Sequence, residues 1–232
     1  MSDAHRAPAL PKCKAPSGLM ALLVGGTLTT VYAVAPGALD AVDRPVWAWL
    51  VDHRPASLFT FMDLVSKSGS IMVVTVLTAI LTAMLVATRR WIPAITVALT
   101  MAAAGDLTWT MKSAFGRERP PADEMLGLVE RGFAFPSGHS LTSAALAVMG
   151  ASTIALVLPR LRRPAIAFAV TSTLLIGGSR LYLGVHWLTD VLAGWAIGAG
   201  LASIAIAAAV TLERAARDRS TRDEEPLDAV RH

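Results

Sequence analysis

Two histidines, one aspartate and a group of cations stand in three short stretches of this chain, each set against a long apolar run. The first stretch, KSAFGRERP, carries Lys112 and Arg119. The second, PSGHS, sets Ser137, Gly138 and His139 just ahead of an apolar run that opens at Leu141. The third, SRLYLGVHWLTD, carries Ser179, Arg180, His186 and Asp190. His186 and Asp190 are four apart, so on a helix they share a face. A carboxylate that reaches one imidazole nitrogen fixes the tautomer and leaves the other nitrogen free as a nucleophile or base. His139 then supplies a second imidazole, able to give a proton to a departing oxygen. Arginine donates bidentate hydrogen bonds to phosphate-type oxygens and lysine adds a point charge. Ser137 suits a helix cap, Gly138 lets backbone approach a ligand closely, and the free amides of a helix N-terminus attract an anion.

Each feature has a plainer reading when taken alone. A cation at a membrane edge is often a snorkelling anchor, a Ser-Gly pair an ordinary helix start, and a single histidine a structural group. Three cations converging with two histidines, one of them four residues from a carboxylate, point instead to a cradle for a dianionic or trianionic group beside a nucleophile. Two His and one Asp are also ligand types for zinc. The adjacent cations oppose a divalent ion and no closed carboxylate cluster accompanies them, so neither a metal nor another cofactor is expected.

The elements that must position these residues are membrane spans. Of 232 residues, 54% are hydrophobic and only 16% charged, against about 25% charged in ordinary soluble domains. The mean hydropathy is +0.54. Cys13 is the only cysteine, which excludes a disulfide scaffold, and the composition excludes a disordered chain. Six runs, at 19–35, 70–88, 91–109, 141–158, 165–183 and 191–212, are long and apolar enough to cross a bilayer as helices. The first has the length of a true span rather than that of a cleavable signal peptide.

The net charge of +4 fits nucleic-acid binding by number alone, but the basic residues sort by side of the membrane. With the N-terminus inside, 13 of the 21 Lys and Arg are cytoplasmic. They include Arg6, Lys12 and Lys14, the short turns Arg89-Arg90 and Arg160 to Arg163, and the tail through Arg231. Both termini are then cytoplasmic, and all three polar stretches reach the outer face. Residues 1–18 form a cytoplasmic segment, 19–212 a six-span domain, and 213–232 a charged tail expected to be disordered. Residues 37–69 read as an outer loop whose Trp47, Trp49, Phe59 and Phe61 suit a helix lying in the interface, the alternative being a packed external loop. Gly194 and Gly198, four apart, suit close helix packing. Asp106 within the third run is expected to pair with a site cation.

The three stretches resemble the signature motifs of the type 2 phosphatidic acid phosphatase superfamily, with every signature position filled and every spacing kept, over roughly residues 70–212. The wording FGRERPP, FAFPSGHS and YLGVHWLTDVLAGW is most similar to bacterial membrane lipid phosphatases of the phosphatidylglycerophosphatase or undecaprenyl-diphosphatase kind. The resemblance implies an all-α, polytopic bundle of six transmembrane helices, related to haloperoxidases, with its active site at the extracytoplasmic interface. It implies that His186 attacks phosphorus and forms a phosphohistidine, that Asp190 orients it, and that His139 protonates the leaving oxygen. Lys112, Arg119, Arg180, Ser137 and the Gly138 amide would hold the phosphoryl oxygens, while Ser179 has a weaker case. The expected enzyme is a metal-independent phosphoric ester or anhydride hydrolase of the plasma membrane, with a lipid phosphate as partner and no nucleic acid. Undecaprenyl diphosphate, phosphatidylglycerophosphate and phosphatidate are its candidate substrates. Competing readings are a lipid-linked phosphotransferase using the same phosphohistidine, a vanadate-haloperoxidase-like enzyme, and a non-catalytic scaffold.

Overall fold

A bilayer offers backbone amides and carbonyls no partner, so each apolar run must satisfy its own as a helix. The computed structural model describes residues 15–223, and among them all regular structure is helical. The helices are α1 (Ala15–Val34), α2 (Pro36–His53), α3 (Phe59–Ser68), α4 (Ile71–Ala87), α5 (Trp91–Phe115), α6 (Gly138–Val157), α7 (Arg162–Tyr182) and α8 (Leu188–Asp223). Local chemistry sets their ends. Ser70 caps α4 and Ser137 caps α6, each side-chain oxygen accepting from a backbone N–H three residues on. Gly116, at φ 58°, closes α5 in the left-handed region while its N–H bonds the Lys112 carbonyl at 3.0 Å.

Helices α5 to α8 are long and apolar enough to cross a membrane, and two further spans arise if bent pairs are counted whole, giving four to six. Helix α1 meets α2 at a 108° bend, and α3 meets α4 at 48°. The six expected runs therefore correspond to α1 and α4 to α8. The stretch at 37–69 is not a loop but α2, a short 3-10 turn and α3. Its aromatics divide between the two roles considered for them. Trp49 and Phe61 are exposed, while Phe59 packs against the cluster of Tyr182, Leu183 and Val185 beneath the α7–α8 link.

Helix α8 is the axis of the bundle, packed along α6 on one side and α1 on the other. Glycines make this possible. A Cβ on Gly198 would lie 2.1 Å from the Leu141 carbonyl oxygen, and one on Gly194 would lie 2.8 Å from that of Ser137. Gly177 makes room for Trp195 in the same way, where a Cβ would come within 2.3 Å of the indole.

Two further expectations fail. Asp106 is exposed on α5 and, among the described residues, makes no ion pair with a site cation. Six residues at about 100° each turn it roughly 120° around the helix from Lys112. The tail is not disordered from residue 213, because α8 runs on to Asp223. The segment ERAARDR that follows Leu212 is rich in Ala, Arg and Glu, good helix formers on an already nucleated helix. Residues 1–14 and 224–232, including Arg6, Lys12, Lys14 and Arg231, lie outside the described residues.

The α6–α8 contact yields a direct test. Gly198→Ala forces a methyl into backbone that cannot swing away, an overpacking cost of about 1–3 kcal/mol. Its melting temperature in detergent is expected to fall by about 3–10 °C. Gly150→Ala, at a position on α6 with nothing within 4 Å of the added Cβ, is expected to melt at or slightly above wild type.

Candidate active site

The three polar stretches come together at one end of the bundle. Lys112 lies in the last turn of α5, His139 in the first turn of α6, and Arg180 in the last turn of α7. His186 lies in the α7–α8 link, Asp190 opens α8, and Arg119 reaches in from residues 116–137. The link turns at Gly184, whose φ of 72° suits glycine and whose missing Cβ leaves room for Arg54 and the Glu124 carbonyl 3.1 Å away.

His186 is the centre of this arrangement and is 1% exposed. Its Nδ1 lies 3.3 Å from Asp190 Oδ2, and its Nε2 lies 3.1 Å from Arg119 Nη1. A guanidinium only donates, so Nε2 accepts. In the neutral ring Nδ1 then carries the proton and donates it to Asp190. The pairing does not arise from a shared helix face, because His186 precedes the helix. Asp190, in the first turn of α8, also accepts the Trp187 backbone N–H at 3.0 Å. This capping-box geometry carries the carboxylate back to the imidazole. Burial, then the charges of Arg119, Arg180 and Lys112, hold the His186 pKa well below its ordinary 6.5.

The anion cradle lies in front of Nε2. Arg119 donates to the carbonyls of Val185 at 2.7 Å and Gly132 at 3.1 Å. Lys112 Nζ donates to the Phe133 carbonyl and, at 3.4 Å, to that of Ala134. Arg180, 3% exposed, donates to Ser66 at 2.5 Å, and its Nε has no partner among the described residues. His139 lies within the field of Arg180, Glu130, Arg119 and Lys112. The first amides of α6, at Gly138 and His139, have no intrahelical acceptor and carry the positive end of the helix dipole.

Ser137 and Ser179 are both fully buried. Ser137 Oγ accepts from the Ser140 hydroxyl at 3.1 Å, and its own N–H donates to the Asp190 carbonyl at 3.0 Å. Ser179 donates locally to the Ile176 carbonyl at 2.6 Å. Both hydroxyls are engaged within the protein in this arrangement.

Three residues outside the sequence-derived set belong to the site. Arg117, 4% exposed, donates to Asp190 Oδ1 and to Asp43 Oδ2, both at 2.6 Å. Asp43, on α2, accepts the Thr189 N–H at 2.9 Å and its hydroxyl at 2.5 Å. The guanidinium of Arg117 also stands 5.1 Å from the ring centroid of Tyr32. Glu130 bridges Arg180 and Arg119, the latter at 3.1 Å. Burial pushes its carboxyl up, but the charge and hydrogen bond of Arg180, with Arg119, outweigh this and hold it below its ordinary value. The FGRERP wording hinted at Arg117 by its cation density. No spacing signal links Asp43 or Glu130 to the motifs.

An apolar groove of 310 Å³ leads away from Lys112 and His139 between α4, α5 and α6, past Ile71, Gly105 and Thr142. These last three residues also line a second hollow of 620 Å³ that continues between α4 and α5.

Residues 93–214 match the model of the PAP2 superfamily. Phosphatidylglycerophosphatase B of Bacillus subtilis is 40% identical over 72 residues, which are 30% of this chain and 36% of that protein. Undecaprenyl-diphosphatase of Sulfolobus acidocaldarius is 32% identical over 74 residues, 32% of each chain. The matched segment thus spans about a third of the length of these curated relatives. Among solved structures, a transmembrane PAP2 type phosphatidylglycerolphosphate phosphatase from Bacillus subtilis superposes with a TM-score of 0.72 at 27% identity. That likeness covers 82% of this chain and 94% of the other. With more than half of its residues matched by the family model and most of its length sharing the fold of a solved relative, the chain belongs to the PAP2 superfamily.

Proposed function

We propose that this protein is an integral membrane phosphatase that removes the terminal phosphoryl group of a lipid phosphate or diphosphate through a phosphohistidine on His186. The observation that carries the proposal is the His186 imidazole held from behind by Asp190, its unprotonated Nε2 aimed into a cluster of Lys112, Arg119 and Arg180. The Nε2 lone pair attacks phosphorus, a P–N bond forms and the P–O bond to the lipid breaks. His139 gives its proton to the departing oxygen, which leaves as the lipid alcohol or the shorter phosphate. Water then attacks the phosphohistidine, His139 takes a proton from it, and cleavage of the P–N bond frees inorganic phosphate and restores His186. The cations and the α6 amides stabilise the charge that builds on the transferring group, typically the largest catalytic contribution. No metal enters this sequence.

The groove between α4, α5 and α6 supports a lipid rather than a soluble substrate. Its lining is apolar, and it ends at Lys112 and His139, so an acyl or prenyl chain can lie there with its phosphate among the cations. The relatives named for phosphatidylglycerophosphate and undecaprenyl diphosphate fit this substrate class. Charge sidedness supports an extracytoplasmic site in the plasma membrane with cytoplasmic termini. Arg89-Arg90 and the Arg160 to Arg163 turn lie at the ends of α5, α6 and α7 opposite the cradle.

Purified protein with phosphatidate, phosphatidylglycerophosphate or undecaprenyl diphosphate in EDTA is expected to release phosphate without an added acceptor. His186→Ala is expected to lower the rate by at least about 10³-fold, given the factors attributed to acid–base groups and oxyanion donors at such sites. Full activity in the variant, or dependence on a divalent ion, would overturn the mechanism.

The pH profile gives a second test. Because the folded His186 pKa is depressed, the ring stays neutral and nucleophilic as pH falls through 6.5. The acid limb of kcat/KM due to this group is therefore expected below pH 6.5. Arg119→Gln removes a cation that depresses it and is expected to move that limb upward, besides weakening substrate binding.

A further inference from the structure

Glu130 stands where the substrate's phosphoryl oxygens would have to go. One carboxylate oxygen pairs with Arg180, the other with Arg119 at 3.1 Å, and Arg119 in turn touches the nucleophilic nitrogen of His186. A phosphoryl group that takes the arginine N–H groups now bound to Glu130 must displace this carboxylate. Building on the phosphatase reading above, we propose that Glu130 is an internal occupant of the cradle, displaced by phosphomonoester and terminal diphosphate groups but not by phosphodiester lipids.

A second observation points to the larger ligand. Arg180 Nε is buried and, among the described residues, unpartnered while the carboxylate is in place. A carboxylate offers two oxygens, and a terminal phosphoryl group offers three with about twice the charge at neutral pH. The exchange therefore gains charge and an acceptor for the orphaned N–H. A phosphodiester headgroup carries one charge on two free oxygens, like the carboxylate it would replace, and gains neither. In a bilayer rich in phosphodiester lipids, a cradle without this competitor would fill with them.

The segment carrying Glu130 is tied down by the cations it neutralises. Arg119 holds the Gly132 carbonyl, and Lys112 holds those of Phe133 and Ala134. The preceding Leu128 and Val129 are 87% and 54% exposed. A phosphoryl group that claims the cations loosens residues 128–134 as a unit.

The test uses the full chain in mixed micelles with a phosphatidate substrate, comparing wild type, Glu130→Gln and Glu130→Asp. In Glu130→Gln, the inhibition constants of phosphatidylglycerol and of inorganic phosphate are both expected to fall about tenfold, the equivalent of one charge-assisted contact. Glu130→Asp keeps the charge and is expected to remain resistant to phosphatidylglycerol. An unchanged phosphatidylglycerol constant in Glu130→Gln overturns the proposal. A measurement on wild type avoids reliance on a variant that fails to fold. Added inorganic phosphate is expected to speed amide hydrogen exchange across residues 128–134, and unchanged exchange in an enzyme that hydrolyses its substrate counts against displacement. A wild type that neither hydrolyses lipid phosphates nor is stabilised by inorganic phosphate overturns the phosphatase reading itself, and this proposal falls with it.

Discussion

Positive side chains repel one another, and the repulsion grows as water is withdrawn. Two unit charges 4 Å apart interact with about 4 kcal/mol at an effective dielectric of 20. Lys112, Arg119 and Arg180 are brought together at the end of a membrane bundle, so the surrounding structure must answer their charge before any substrate arrives. It does so in layers. Carbonyls of Gly132, Phe133, Ala134 and Val185 turn inward to accept from Lys112 and Arg119. Glu130 supplies a full negative charge in front of the histidine, and Asp190 supplies another behind it. The course of residues 116–137 follows from this need, since a loop with inward carbonyls is costly except beside cations.

The layer behind His186 has its own balance. Asp43 and Asp190 share Arg117, two buried carboxylates around one guanidinium. This leaves an uncompensated negative charge beside the imidazole, which in the proposed mechanism would stabilise a ring becoming cationic on attack. Asp43 is held in turn by both the N–H and the hydroxyl of Thr189, the residue before Asp190. The clamp ties α2, an element outside the motif-bearing region, to the first turn of α8. Removing Arg117 would leave two carboxylates buried without their partner, a loss far larger than that of any surface pair.

The parts of the site visible in the sequence are those whose spacing is local. Lys112 with Arg119, the PSGH turn, and His186 with Asp190 are each separated by a few residues, so short motifs capture them. The six apolar runs were legible because the bilayer imposes a length. Arg117 with Asp43 was not, since the partners lie 74 residues apart and one sits in a stretch that reads as a loop. Glu130 carries no periodic or motif signal, and only the folded loop shows it against the arginines. Asp106 is an intramembrane carboxylate close in sequence to Lys112, but the helix turns it about 120° away, so its position in a span does not by itself pair it with a site cation. The pairing of His186 with Asp190 was legible although its geometry was not, because spacing alone cannot separate a helix face from a capping box.

The relative placement of the two histidines depends on one contact between helices. His139 and Asp190 each belong to the first turn of a different helix, α6 and α8. The Ser137 N–H donates to the Asp190 carbonyl at 3.0 Å, joining those two turns directly. That bond can form only because Gly194 lets α8 approach until a Cβ would stand 2.8 Å from the Ser137 carbonyl. A proton donor displaced by about 1 Å from its leaving oxygen can cost about 10²-fold in rate. The small residues of GWAIG therefore set the distance between the two histidine-bearing stretches as well as the packing of the helices. A methyl group at Gly194 would push apart the α6 turn that carries His139 and the α8 turn whose Asp190 holds His186, with every motif residue still in place.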